Sequence, residues 1–70
     1  VIVEFKLKTK FIELDNMLKA MDLVANGAEA RQFVQSGSIK VNGEVEFRIR
    51  RKLRSGDVVE FGENRISVVV

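Results

Sequence analysis

Hydrophobic and polar residues alternate at the start of the chain. Val1, Val3, Phe5 and Leu7 take one side, while Glu4, Lys6 and Lys8, with Ile2, take the other. A period of two predicts a half-buried strand. Residues 9–13 then lead into a helix, where Leu14, Met17, Leu18 and Met21 fall at i, i+3, i+4 and i+7. That spacing makes one apolar stripe on a short helix, with Lys19 on the opposite flank. Asn26 with Glu29 three residues later resembles a capping box, Asn replacing the usual Ser or Thr. It opens a second helix with Ala30, Phe33 and Val34 inward and Arg31, Gln32 and Gln35 outward. Gly37 is expected in the left-handed region, ending that helix near Ser36.

Beyond Ser38 the period returns to two. Ile39 and Val41 lead into Asn42-Gly43, a pair suited to a tight hairpin because both positions tolerate positive φ. Val45, Phe47 and Ile49 are expected to continue the alternation on the returning side. Ser55-Gly56-Asp57 marks another turn, before Val58, Val59 and Phe61. Gly62-Glu63-Asn64 joins these to a last strand over residues 65–70, with Ile66, Val68 and Val70 on one face. The order predicts an α+β fold: a single compact domain over residues 1–70, two short helices packed on a small, mainly antiparallel sheet.

Composition narrows what such a domain can do. Seventy residues leave no room for a second core or a deep cleft. The chain has neither Cys nor His, which removes thiolate chemistry, the usual general base and the commonest zinc ligands. Cofactors are therefore not expected, and neither is a small-molecule substrate. No apolar run approaches the roughly 20 residues that span a bilayer, and no signal-peptide pattern opens the chain. A cytoplasmic protein is expected, with no membrane partner. The first residue is Val rather than Met, which allows a processed or excised chain, although both ends read as strands of one sheet and favour a complete domain.

Net charge is only +2, but its distribution is uneven. Arg48, Arg50, Arg51, Lys52 and Arg54 place five cations within one heptapeptide that contains no acid. Taking those five from the total leaves −3 on the rest of the chain. Concentrated positive charge of this kind suits a polyanion. If residues 47–54 stay extended, Arg48, Arg50 and Lys52 project from one face while Phe47, Ile49 and Leu53 anchor the other. Arg51 breaks that phase, so a bulge or loop is expected there, with its side chain also reaching solvent. The alternative is a solvated run protecting a sheet edge from aggregation.

Catalytic arrangements fare poorly. Glu44 and Glu46 share a predicted strand face, but a salt bridge to the neighbouring arginines suits them better than acid–base work. None of the five glycines builds a phosphate loop of Walker or dinucleotide type. Phe5, Phe33, Phe47 and Phe61 fit core positions, leaving only Phe11 unassigned, so base stacking is poorly supported. The opening of the second helix at Gly27-Ala28 offers backbone N–H groups to a phosphate, but Glu29 competes for the same positive pole. The chain is therefore not expected to be an enzyme.

The segments LDNMLK, GAEARQFVQSGSIKVNG and SGD, in that order and spacing, resemble the αL RNA-binding domain family named after ribosomal protein S-four. The similarity runs over residues 14–59. GSIKVNGEVEFRIRRKLRSGD is most similar to the small stand-alone bacterial members, the YbcJ-like proteins. The resemblance implies a module of translation or the ribosome, in which two helices and the following hairpin grip structured ribosomal or transfer RNA. Carried over residue by residue, it implies contacts from Lys19, Arg31, Lys40, Arg48, Arg50, Arg51, Lys52 and Arg54. Glu13 stands where many members carry Arg, and Gly27-Ala28 where many carry Ser-Arg, which shifts the burden to Arg31 and the basic run. Such a module, without aromatic stacking, is expected to read phosphate and shape as a monomer. A protein-assembly module, pairing through the valine-rich strands at an open sheet edge, and an appended domain of a larger RNA-modifying enzyme are the alternatives.

Overall fold

A computed structural model describes residues 2–70 of the chain. Val1, counted above in the first strand, lies outside the described residues. In chain order the elements are β1 (Ile2–Lys6), β2 (Ile12–Glu13), α1 (Leu14–Ala20), α2 (Gly27–Gln35), β3 (Ile39–Val41), β4 (Glu44–Val45), β5 (Lys52–Leu53), β6 (Val58–Phe61) and β7 (Asn64–Val69). Five strands form one sheet in the order β1-β7-β6-β3-β4. Every pairing in it is antiparallel except β1 with β7. The remaining two, β2 and β5, make a small separate ladder.

Cross-strand register explains where the core sits. Val3, Ile66, Val59 and Val41 are consecutive partners across four strands. The last three are buried, as are Ile39 and Val68 on the same side. Leu14, Met17 and Leu18 of α1, with Ala30 and Val34 of α2, join the same hydrophobic cluster. Both helices thus cover one face of the sheet, and the side chains between the core positions point to the other.

Helix boundaries follow the chemistry of their ends. The Asn26 side chain accepts a hydrogen bond from the Glu29 backbone N–H at 2.9 Å, and the Glu29 carboxylate accepts one from the Ala25 N–H at 3.2 Å. The expected reciprocal cap is present, its return bond landing one residue earlier than in the usual box. Gly37, at φ 78°, closes α2. Its N–H donates to Val34 and that of Ser38 to Phe33, satisfying two carbonyls of the last turn in a Schellman arrangement.

The predicted turn at Asn42-Gly43 has positive φ at both positions, 54° and 86°. Its asparagine also clasps a distant segment. The Asn42 side chain donates to the Asp57 carboxylate at 3.0 Å and accepts from the Val58 N–H at 2.9 Å. Asp57 in turn accepts from the Arg54 N–H at 2.8 Å. The Asn-Gly and Gly-Asp turns are therefore the two halves of one hydrogen-bonded junction. Burial pushes the Asp57 carboxyl up, but it is outweighed by the Arg54 N–H, the Asn42 amide and the charges of Arg51 and Arg54, so its pKa ends below the usual range.

Several expectations need correction. Residues 9–13 are not merely a lead-in, since Ile12 and Glu13 pair with Leu53 and Lys52. The strand after the hairpin stops at Val45, and Phe47 is 62% exposed rather than core. Val45 lies opposite the outward-facing Lys40, so the inward phase falls on Glu46 instead. Val70 lies beyond β7 and is exposed. As for strand addition, β7 is interior to the sheet, and only β1 of the two valine-rich strands forms an edge.

Candidate nucleic-acid interface

Residues 46–51 form an irregular loop rather than a strand. Three attachments hold it. At its start, the Glu46 N–H donates to the Ile39 carbonyl at 3.0 Å. In its middle, the loop caps α1: the Leu14 and Asp15 N–H groups donate to the carbonyls of Arg51 and Ile49, at 2.8 and 3.1 Å. The residue before α1, Glu13, makes no side-chain cap, so the loop backbone takes that role. At its end, β5 pairs with β2, and the fully buried Leu53 enters the core.

Inside the loop, Glu46 is an internal counterion. Its carboxylate accepts from the Arg48 N–H and Nε, both at 3.0 Å, from Arg48 Nη2 at 3.1 Å, and from Arg51 Nη1 at 2.7 Å. The Arg48 side chain is the main cause of a Glu46 pKa lowered to about 2. Burial opposes the shift, while Arg51 and the Arg48 N–H reinforce it. The same pair raises the pKa of Arg48. The salt bridge expected for this region is thus made by Glu46, while Glu44 stays exposed in β4. Arg51 is not turned to solvent as expected, because it folds back onto Glu46 and its side chain is only 28% exposed.

The cations divide accordingly. Arg48 and Arg51 share one negative charge, with Arg48 still 72% exposed. Among the described residues, no carboxylate lies within ion-pair distance of Lys19, Arg31, Arg50, Lys52 or Arg54. The basic run lines a shallow cavity of about 470 Å³. A second cavity, of about 580 Å³, is lined by Lys19 of α1, Arg31 and Gln32 of α2, and Arg50 of the loop, with Asp15 and the first turn of α2. Arg50 lines both, so the two depressions join into one surface. Lys40 is not part of it. It alternates with the buried Ile39 and Val41 and pairs with Glu60 across the outer face of the sheet. The resemblance grouped Lys19, Arg31, Lys40 and the basic run, and a salt bridge from Glu44 or Glu46 to the neighbouring arginines was expected. The fold assigns that bridge to Glu46, which holds Arg48 and Arg51 together. The signal was an acid two residues before Arg48 and five before Arg51.

Guanidinium forks on a fixed backbone suit bidentate contact with successive phosphates. Two helices, the first capped by a basic loop, over a sheet with Val-Asn-Gly and Gly-Asp turns, match the arrangement that the resemblance to the S4 domain implies. The chain belongs to this family, whose model matches residues 5–69. It is similar to a protein of Escherichia coli (strain K12) named "Putative RNA-binding protein YbcJ", 36% identical over 62 residues that cover 89% of each chain. The solution structure of YbcJ from E. coli, described as revealing an αL motif involved in RNA-binding, superposes with a TM-score of 0.72 at 35% identity, covering 96% of this chain and 86% of that one. A "Probable ribosome maturation protein RlbA" of Bacillus subtilis (strain 168) is 39% identical over 54 residues, 77% of this chain and 76% of its own. Among the described residues, no helix is long and apolar enough to cross a membrane.

Proposed function

We propose that this chain is a cytoplasmic, monomeric RNA-binding module that grips folded ribosomal or transfer RNA by its phosphates and shape, without catalysing a reaction. The observation that carries the reading is the convergence on one concavity of Lys19, Arg31 and Arg50, from three separate elements and without an ion-pair partner among the described residues. Lys52 and Arg54 extend the surface through the neighbouring cavity, and Arg48 adds a partly neutralised guanidinium. The names of the E. coli and B. subtilis relatives, one RNA-binding and one of ribosome maturation, support the same class of partner. Lys40 is left out of the proposed contacts because it faces away.

A surface of this kind, with the bases of an A-form stem hidden in a deep groove, favours stems and junctions over a particular sequence. Anisotropy titrations with a structured ribosomal RNA fragment, a plain duplex and a single strand, each at two salt concentrations, test it. Changing Arg31 and Arg50 to Gln removes two phosphate contacts and is expected to flatten the log–log salt slope by about 2 units, roughly 0.9 per contact. A double variant that stays folded and binds every RNA like the parent, with the same slope, would falsify the assignment.

A further inference from the structure

The basic surface has an apolar neighbour that it does not use. A cleft of about 300 Å³ is lined by Phe5, Leu7, Phe11, Ile12 and Ala20, with Lys6, Lys8 and Thr9 completing it. Its volume lies at the small end of ligand clefts, which run from about 300 to 1,000 Å³. Phe11, the aromatic residue that periodicity left unassigned, sits between this cleft and the basic run. Lys52 Nζ is 5.0 Å from the centre of its ring and Arg54 Cζ 6.0 Å. Phe11 is 36% exposed as a residue, and Lys6 and Lys8 are exposed beside it. Among the described residues, no carboxylate lines the cleft.

We infer that this cleft receives one unpaired nucleotide of the bound RNA. An extruded base presents a flat apolar face attached to a phosphate. The cleft offers the complement, apolar walls with one aromatic ring and lysines at the rim. Stacking on an aromatic side chain is tolerant of base identity, because every base has a π-face. The cations at the ring tie the cleft to the phosphate-binding run, so a stem lying across Arg50 and Lys52 meets the cleft where a bulged or overhanging nucleotide leaves the helix. An acidic peptide shares the negative charge but lacks the planar base, which makes the base the better occupant of an aromatic-walled site. The inference rests on the RNA-binding reading and adds to it a preference for helices interrupted by an unpaired residue.

The test compares a perfectly paired RNA hairpin with the same hairpin carrying a single-nucleotide bulge, using the full chain. Binding of the bulged RNA is expected to be at least about 5-fold tighter, the lower end of the stacking effect. Upfield shifts of the Ala20 and Ile12 methyl resonances, from the ring current of the entering base, are expected with the bulged RNA alone. Phe11→Leu, which keeps the apolar wall but removes the ring, is expected to bring the ratio of bulged to paired affinity to about one. Arg31→Gln/Arg50→Gln weakens both RNAs and leaves their ratio intact. Equal binding of the two hairpins by the parent overturns the inference and leaves the RNA-binding reading standing, as does a Phe11→Leu variant that keeps the preference. If neither hairpin binds, both readings fall. The methyl shifts are read on the parent protein, so the test survives a variant that folds poorly.

Discussion

Replacing Glu46 with Gln removes the one negative charge inside the basic loop while nearly preserving its shape. The carboxylate now holds four hydrogen bonds of 2.7 to 3.1 Å from Arg48 and Arg51. An amide retains a single acceptor oxygen and turns an NH₂ group toward guanidinium donors. The lowering of the carboxyl pKa from 4.5 to about 2 sets a ceiling of about 3 kcal/mol on the contribution of charge. Arg48 is 72% exposed, so screening reduces this to about 1–2 kcal/mol. For a domain this size, Tm is expected to fall by roughly 5–15 °C, at about 4–8 °C per kcal/mol. Far-UV circular dichroism is the suitable probe, because the chain has neither Trp nor Tyr. The pH dependence supplies the sharper check. The folded-state pKa lies below the unfolded one, so the contribution is complete above pH 4.5 and is lost as pH falls toward about 2. The stability gap between parent and variant should therefore be constant near neutrality and close between those limits. Equal stability at pH 7, or a gap of unchanged size at the acid end, would refute the counterion argument.

Two further substitutions separate structural from binding roles. Asn42→Ala loses both clasp bonds and puts a β-carbon without asparagine's tolerance at φ 54°, so a loss of about 1–3 kcal/mol in urea denaturation is expected. Asn42→Gly loses the same bonds but relieves the backbone, and should recover roughly 1 kcal/mol of that. Lys40→Glu, on the outer face of the sheet, is expected to leave RNA affinity within about twofold at physiological salt, where charges further apart than about 8 Å are screened. Arg31→Glu should weaken binding by about tenfold or more, the scale of a lost charge-assisted bond. Equal losses from these two reversals in anisotropy titrations would show that net charge, rather than position, governs binding.

Local signals carried most of the fold. The Leu14–Met17–Leu18 stripe, the Asn26–Glu29 cap, Gly37 and the Asn42-Gly43 turn each act within a few residues, and each appears where the pattern predicts it. What escaped was set by distant partners. The pairing of Ile12–Glu13 with Lys52–Leu53 involves two residues on each side and leaves no periodic trace. Phe47 and Val45 alternate as a strand should, yet alternation does not say which phase faces the core. That phase was fixed by Val45 lying opposite Lys40. Lys40 itself sits beside the Asn-Gly turn in sequence, but the helices cover the opposite face of its strand. For the interface, charge density located the loop, whereas the partition of its cations by Glu46 required the folded geometry.

The capping of α1 by loop carbonyls has a consequence for motion. Two amides at the head of this helix close only when residues 49 and 51 are in place. Fluctuations that lift the loop must also fray the first turn of α1, so helix and loop open as one cooperative unit. Hydrogen exchange at Leu14 and Asp15 then reports on a segment that neither residue belongs to. A ligand pinned across Arg50 would be registered there as slowed exchange, without any contact to the reporting amides.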